Sequence, residues 1–345
     1  MSLREIAEIG MSPESFSPIL AIFLQLLATS LNYIGMTVQK KAAANLPGIG
    51  SEMGLLTSIK TFVSNRGWIF GYFLNASSTF LNAAALALAA LSLIQPLYGF
   101  GLIVLVIFSH FYLKEEITKM DLIGIFLGII GIVLIGLITK PYTGFSYPAL
   151  INLYVGLPGI LFLGIVLTIA ILSYVLSEHC PNQLAIVFLV LSSSIWTAIA
   201  FLFSKAIGTI VRDLGFVGAF FGSNCYYTYI FLALFLFVSI IGILLLNVAY
   251  QRGNSVIIGP IWTSVQLILP VLYGIIVFNE WAQLSLKEIL LQVSGSLVML
   301  FSILLLSISN GLKEDQLQNH KQLENTSEIE NDKDKSILDS NNNKG

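Results

Sequence analysis

Residues 82–116 read NAAALALAALSLIQPLYGFGLIVLVIFSHFYLKEE, and no Asp, Glu, Lys or Arg occurs from Asn82 to Leu113. A membrane crossing takes about 20 mostly apolar residues for a hydrocarbon core of about 30 Å, so this run exceeds one span. Proline lacks an N–H and pushes the residue before it away from helical geometry, so Gln95-Pro96 marks a break. The turn falls between Ser92 and Pro96, and spans 68–91 and 93–113 meet there. Working outward, the same criterion finds spans at 17–38, 120–139, 156–176, 183–204, 227–249, 255–278 and 287–308. Helix is the reading for all nine, because a backbone facing lipid must satisfy its own hydrogen bonds.

Composition agrees. The 345 residues are 56% hydrophobic and only 10% charged, with a mean hydropathy of +0.86. Soluble domains carry roughly 25% charged residues. The charges also crowd into the segment from Asn310 onward, whose Asn, Asp, Glu, Lys, Ser and Gln cannot bury enough surface to offset chain entropy. A polytopic membrane protein in a lipid bilayer, with a disordered tail, is the expectation. The start, Met1 to Phe16, has one Arg and lacks the basic region of a cleavable signal peptide, so span 1 reads as an uncleaved anchor.

The run at 82–116 has a second copy. Residues 247–260 read NVAYQRGNSVIIGP. Pro96 and Pro260, Glu116 and Glu280, and Gly131 and Gly295 are each 164 residues apart, and Asn82 and Asn247 are 165 apart. An offset of five spans turns the second copy upside down, which is the inverted-topology repeat common in secondary transporters. The segments expected are an extracytoplasmic 1–16, a first repeat 17–139 with spans 1 to 4, a connecting span 5 in 140–182, a second repeat 183–309 with spans 6 to 9, and a cytoplasmic tail 310–345.

These residues resemble the drug/metabolite transporter (EamA-like) superfamily. The run from Asn82 to Glu116, with Lys205-Ala-Ile-Gly-Thr-Ile, Asn247-Val-Ala-Tyr, Asn254-Ser, Pro260 and Asn279-Glu-Trp281, is similar more closely to the nine-span NIPA-type magnesium transporter family. The likeness covers residues 68–140 and 186–308. It implies transport of magnesium or another divalent cation; likeness to the wider superfamily implies only a small solute.

Polar residues at helical spacing mark faces turned away from lipid. The expected transport path takes Gln25, Asn32, Asn75, Asn82, Asn247, Thr263 and Gln266. Glu115, Glu116 and Glu280 stand at span ends as path mouths that concentrate cations, as a gating pair swapped between states, or as solvated interfacial charges. Pro96 and Pro260 either break their helices or sit in first turns, and Gly131 and Gly295 serve helix packing. Gly124 and Gly128 extend that small-residue face. No Asp or Glu lies mid-span, which weighs against a dry Mg²⁺ site. Transfer of a largely hydrated ion past Asn, Gln and carbonyl groups is one route; a polar organic metabolite bordered by Tyr98, Trp262 and Tyr273 is the alternative cargo.

Other classes fall away. No basic cluster favours nucleic acid. Cys180 and Cys225 form neither a disulfide framework nor a zinc site. Ser192, Ser193 and Ser194 have no His or acid mid-span to activate them, and Asp121 and Asp213 stand isolated near loops, so no enzyme is expected. No G-x-x-x-x-G-K-[ST] run and no cofactor motif occurs. Lys40, Lys41, Lys60, Arg66, Lys114, Lys119, Arg252 and the tail lysines fall on one side of the membrane, and Arg4, Lys140, Lys205, Arg212 and Lys287 on the other. That bias puts the N-terminus outside the cell membrane and the C-terminus in the cytoplasm. Between Lys40 and Arg66, Leu55, Leu56, Ile59 and Phe62 suggest a surface helix. A homodimer is compatible with this organisation.

Overall fold

The computed structural model describes residues 11–16, 18–43, 64–114, 116–138, 142–252 and 255–342. Its helices are α1 (Pro18–Ala43), α2 (Arg66–Leu88), α3 (Leu91–Ile94), α4 (Phe100–Leu113), α5 (Lys119–Gly136), α6 (Tyr147–Val155), α7 (Leu157–His179), α8 (Asn182–Phe221), α9 (Cys225–Arg252), α10 (Ser255–Ile276) and α11 (Leu286–Asn342). Three-residue-per-turn segments at Gln95–Gly99 and Glu280–Gln283 join α3 to α4 and α10 to α11. A short antiparallel ribbon pairs β1 (Met11–Phe16) with β2 (Tyr142–Phe145), a feature that polar alternation in so few residues did not announce.

Among the described residues, eight helical segments are long and apolar enough to cross a membrane. The remaining expected span, 68–91, corresponds to α2. Its 23 residues extend about 35 Å at 1.5 Å per residue, enough to cross. It is less apolar than the others because Asn75, Ser77, Ser78, Thr79 and Asn82 all fall within it.

Two boundaries differ from expectation. Span 183–204 is only the first part of α8, which continues to Phe221 and changes direction at Gly215, whose φ of 68° suits a residue without Cβ. Lys205 and Arg212 therefore lie on a helix rather than in a loop. The segment 310–345, expected to be disordered, continues α11 as helix to Asn342. Helix is a local backbone property, and the Leu, Gln, Glu and Lys of this segment are good helix formers that need no burial to adopt it. The suggested surface helix between Lys40 and Arg66 falls largely on residues 44–63, outside those described.

α1 packs on α2, α8 on α9, and α5 on α11, while α10 lies against both α8 and α11. At the α5–α11 crossing, a Cβ on Gly131 would stand 3.1 Å from the Gly295 carbonyl oxygen, and one on Gly295 would stand 3.1 Å from that of Gly131. The contact is reciprocal, as a two-fold relation between the halves requires, and only small residues allow it. Gly124 and Gly128 continue this face against Leu306 and Ser302. Both helices also start alike. Thr118 and Asp121 cap α5, the Thr118 amide donating to Asp121 at 2.7 Å, and the Ser285 amide donates to Glu288 at 2.7 Å at the start of α11.

Contacts sort the connecting segments into two ends. At one end Arg212 reaches the carbonyls of Ala87 and Phe145, the Tyr147 amide donates to Asp213, and Glu280 meets Leu91. At the other, Lys41 donates to the Tyr112 carbonyl, Lys313 pairs with Asp121, and Arg252 pairs with Glu178.

Candidate functional site

The polar rows of α1 and α2 meet one another. Asn82 donates to the Gln25 side chain at 2.9 Å, Asn75 to Gln39 at 2.9 Å, and Asn32 approaches the Ser78 hydroxyl at 3.4 Å. On α10, Gln266 donates to Thr197 of α8 at 2.9 Å, while the Thr263 hydroxyl is turned back onto the Gly259 carbonyl at 2.8 Å. These bonds do what polar side chains do between apolar helices: they hold neighbours in register. Asn247 stands apart from them, exposed on α9.

Some of the buried polar groups left over lie at the helix break. Gln95 and Ser92 are fully buried, and both amide atoms of Gln95 and the hydroxyl of Ser92 have no hydrogen-bond partner. Gln25, also fully buried, has its amide nitrogen unpartnered, and α1 packs on the segment that carries Gln95. A buried amide left unpaired costs about 1–3 kcal/mol, so each such group calls for a water or another polar partner. Pro96, next to Gln95, opens the Gln95–Gly99 segment between α3 and α4 and so interrupts that span. Pro260, by contrast, lies within α10 without interrupting it. Gln95 and Ser92 were hidden from sequence reasoning because they serve there as punctuation of a break; what signals them is burial without a partner.

The second feature is a buried ionic cap at the same break. Glu280 is only 4% exposed and Lys205 only 2%. The two carboxylate oxygens of Glu280 accept from the amides of Leu91 at 2.7 Å and Ser92 at 2.8 Å, which begin α3. Lys205 donates to the carbonyls of Leu86 at 3.0 Å and Ala89 at 2.8 Å, which end α2, and its ammonium lies 3.8 Å from Glu280. A helix end offers free carbonyls and partial negative charge, and a helix start offers free amides and partial positive charge. Lys205 and Glu280 answer these two needs at one chain break, across a sequence distance of more than a hundred residues. A Cβ at Gly274 would collide with the Glu280 carboxylate, so glycine leaves the space in which it sits. Phe278 and Tyr273 wall the site with rings 5.0 Å apart, and the Lys205 ammonium stands 5.7 Å from the Phe278 ring.

This corrects two expectations. Glu280 is not a solvated mouth charge; the helix break supplies backbone amides that replace water. Asp121 and Asp213 are not isolated. Asp121 is fully buried and bonded to Lys313 at 2.6 Å, and Asp213 accepts from Arg212 and from the Tyr147 amide, both at 2.7 Å. Sequence distance concealed both pairings. Glu116 is exposed as expected, and Glu115 lies outside the described residues. Cys180 and Cys225 are free. Among the described residues, no group of three or more His, Cys, Asp or Glu is placed to hold a metal ion.

Comparison with known proteins bears on this arrangement. The family model described as "Magnesium transporter NIPA" matches residues 18–311. A protein of Arabidopsis thaliana named "Probable magnesium transporter NIPA9" is 38% identical over 116 residues, which are 34% of this chain and 33% of that relative. Another from Arabidopsis thaliana, "Probable magnesium transporter NIPA6", is 23% identical over 300 residues, 86% of this chain and 89% of the relative. The match thus spans about a third of the first relative's length and most of the second's. No solved structure matches the chain. With a family match that runs from the start of α1 into α11 and takes in the capped break between α2 and α3, the chain belongs to the NIPA magnesium transporter family and is a multi-pass integral membrane protein.

Proposed function

We propose that this protein carries Mg²⁺ across a membrane by alternating access, with nine crossings, the N-terminus outside and the C-terminus in the cytoplasm. The sorting of contacts into two ends supports α2 as a crossing: Lys41, near the end of α1, donates to the Tyr112 carbonyl at one end, whereas Leu86, Ala87 and Ala89 at the end of α2 meet Lys205 and Arg212 at the other. The observation that carries the reading, beside family membership, is the buried and unpaired amide of Gln95, with the unpaired Ser92 hydroxyl three residues before it.

Mg²⁺ takes oxygen ligands, gives up water reluctantly and keeps several waters when bound. A hydrated ion presents outward-pointing O–H groups, which amide and hydroxyl oxygens accept. Gln95 and Ser92 offer such acceptors at a point where the helix is broken. Gln266 and Thr263 extend the lining from α10. The inverted repeat supplies the motion: one half rocks against the other and exposes the middle to each side in turn. A second reading, a small polar organic solute, is favoured by the unpartnered Tyr273 hydroxyl and Trp262 indole N–H, which are suited to an uncharged donor–acceptor ligand.

The test is uptake into proteoliposomes holding a Mg²⁺-sensitive dye, with wild-type, Gln95→Ala and Asn82→Ala proteins of equal helix content. The site assignment expects initial rates in Gln95→Ala to fall at least tenfold. Influx equal to wild type in both variants removes the site from the path.

A further inference from the structure

The carbonyl groups that end α2 are met by two cations from one face of α8. Lys205, Gly208 and Arg212 stand at the spacing i, i+3, i+7, which aligns residues along one side of a helix. A Cβ on Gly208 would collide with the Ala83 carbonyl oxygen and press on the Ala87 side chain at 3.3 Å, so glycine lets α8 lie against the last turns of α2. That approach brings Lys205 to the carbonyls of Leu86 and Ala89, and Arg212 to the carbonyl of Ala87. Arg212 has a carboxylate of its own, Asp213 at 2.7 Å, and also donates to the Phe145 carbonyl. The inner cation is the ammonium.

Lys205 is 2% exposed. A lysine head is a compact, strongly hydrated charge, and it is buried only where other groups replace its water. Here the replacements are oxygens: two main-chain carbonyls at 3.0 and 2.8 Å, and a Glu280 carboxylate oxygen at 3.8 Å. Backbone places each of them. The carbonyls belong to the end of α2, where helical bonding leaves acceptors over and partial negative charge gathers. The carboxylate is held on the amides of Leu91 and Ser92 at the start of α3. The Phe278 ring, 5.7 Å from the ammonium, adds an aromatic face. Convergent oxygens with one negative charge and a ring are what a primary ammonium needs, since it has three donors and no acceptor.

We propose that the carbonyls of Leu86 and Ala89, the carboxylate of Glu280 and the Phe278 ring form a binding site for a small cation of the primary ammonium class, and that Lys205 is its tethered occupant. The second repeat thus supplies an ion, on a covalent stem, to a site that the first repeat's helix break builds. The charge of Glu280 is already answered, so this carboxylate is not a ligand for a passing ion; that consequence alone rests on the transport reading. Removing the lysine side chain leaves the oxygens in place and opens them to a free cation of the same chemistry.

The test is thermal unfolding of the full chain in nonionic detergent micelles, followed by circular dichroism, for wild type, Lys205→Ala, and Lys205→Ala combined with Glu280→Gln. Lys205→Ala removes the atoms of a propylammonium ion, so propylammonium is the probe; tetramethylammonium, which has the charge but no N–H, is the control. An ion that binds only the folded chain raises the midpoint as its concentration rises. Propylammonium should raise the midpoint of Lys205→Ala saturably and restore at least half of what the substitution lost. Tetramethylammonium should leave it unchanged, and wild type should respond to neither. Adding Glu280→Gln should raise the half-saturating concentration at least tenfold. Where Lys205→Ala does not hold its fold alone, it is transferred from dodecyl sulfate into the same micelles with each ion, and a cooperative transition should return with propylammonium only. Equal responses to the two ions, a response of the same size in wild type, or no response in either the folded or the refolded variant overturns the site. No flux enters the readout, so the site can fail while the transport reading stands, and the reverse.

Discussion

Replacing Glu280 by Gln, Lys205 by Met, and both together tests whether the buried pair acts as a unit. The Glu280 carboxylate accepts two backbone amides at 2.7 and 2.8 Å, within the range of charge-assisted bonds. Its side chain is 1% exposed and that of Lys205 is 3% exposed. Removing one member of such a buried pair costs about 3–5 kcal/mol, because the other is left uncompensated. Gln retains one acceptor and Lys205 retains its carbonyls at 3.0 and 2.8 Å, so Glu280→Gln should fall near the lower figure, about 3 kcal/mol. Lys205→Met should cost a comparable amount. The double variant leaves no orphan charge, and coupling of about 1–3 kcal/mol should separate it from the sum of the singles. The assay is unfolding in mixed micelles with increasing sodium dodecyl sulfate, followed by circular dichroism. The exposed pair Arg252–Glu178 is a control, since its atoms are closer, at 3.1 Å, but its side chains are 49% and 46% exposed. Its coupling should be under about 1 kcal/mol. Additivity within about 0.5 kcal/mol for Lys205 and Glu280 refutes the reasoning.

Gly274→Ala should displace the Glu280 carboxylate from its cap, so it should destabilise the protein by about 1–3 kcal/mol, as overpacking does, and lose most of that effect in a Glu280→Ala background; an equal effect in both backgrounds counts against the shared space. Gly131→Val puts a branched side chain against the Gly295 backbone and should lower the unfolding midpoint markedly, whereas Gly136→Val, with open space around it, should leave it within experimental error. Asn247→Ala should alter stability by less than about 0.5 kcal/mol and leave uptake unchanged, because the side chain is exposed and apart from the α1–α2 polar bonds; a tenfold loss of uptake would return Asn247 to the path.

The apolar helices and the break at Gln95-Pro96 were legible in the sequence because each rests on a local rule: apolar length, and the missing N–H of proline. Asn82 with Gln25 and Gln266 with Thr197 were legible as interior groups, since helical spacing shows a face, although not which neighbour the face meets. The cap was not legible. Glu280 in Asn279-Glu-Trp281 has the look of a hydrated loop acid, and only the arrival of the α2–α3 break beside it explains a buried charge. Lys205 falls just beyond the expected span 183–204 because its charge ends the apolar count, while the helix runs on to Phe221. A carboxylate or ammonium is expelled from the interior only when nothing there answers it, and the answering groups here are backbone amides and carbonyls, which a sequence does not distinguish from any others.

The most direct measurement is Mg²⁺ influx by the unmodified protein. Purified protein, with helix content verified after reconstitution, is placed in liposomes loaded with a Mg²⁺-sensitive dye, and an inward gradient is imposed. The result expected is a rate above that of empty liposomes which saturates with Mg²⁺ concentration and is proportional to the amount of protein. Influx indistinguishable from empty liposomes, with folded protein in both membrane orientations, contradicts magnesium as the cargo.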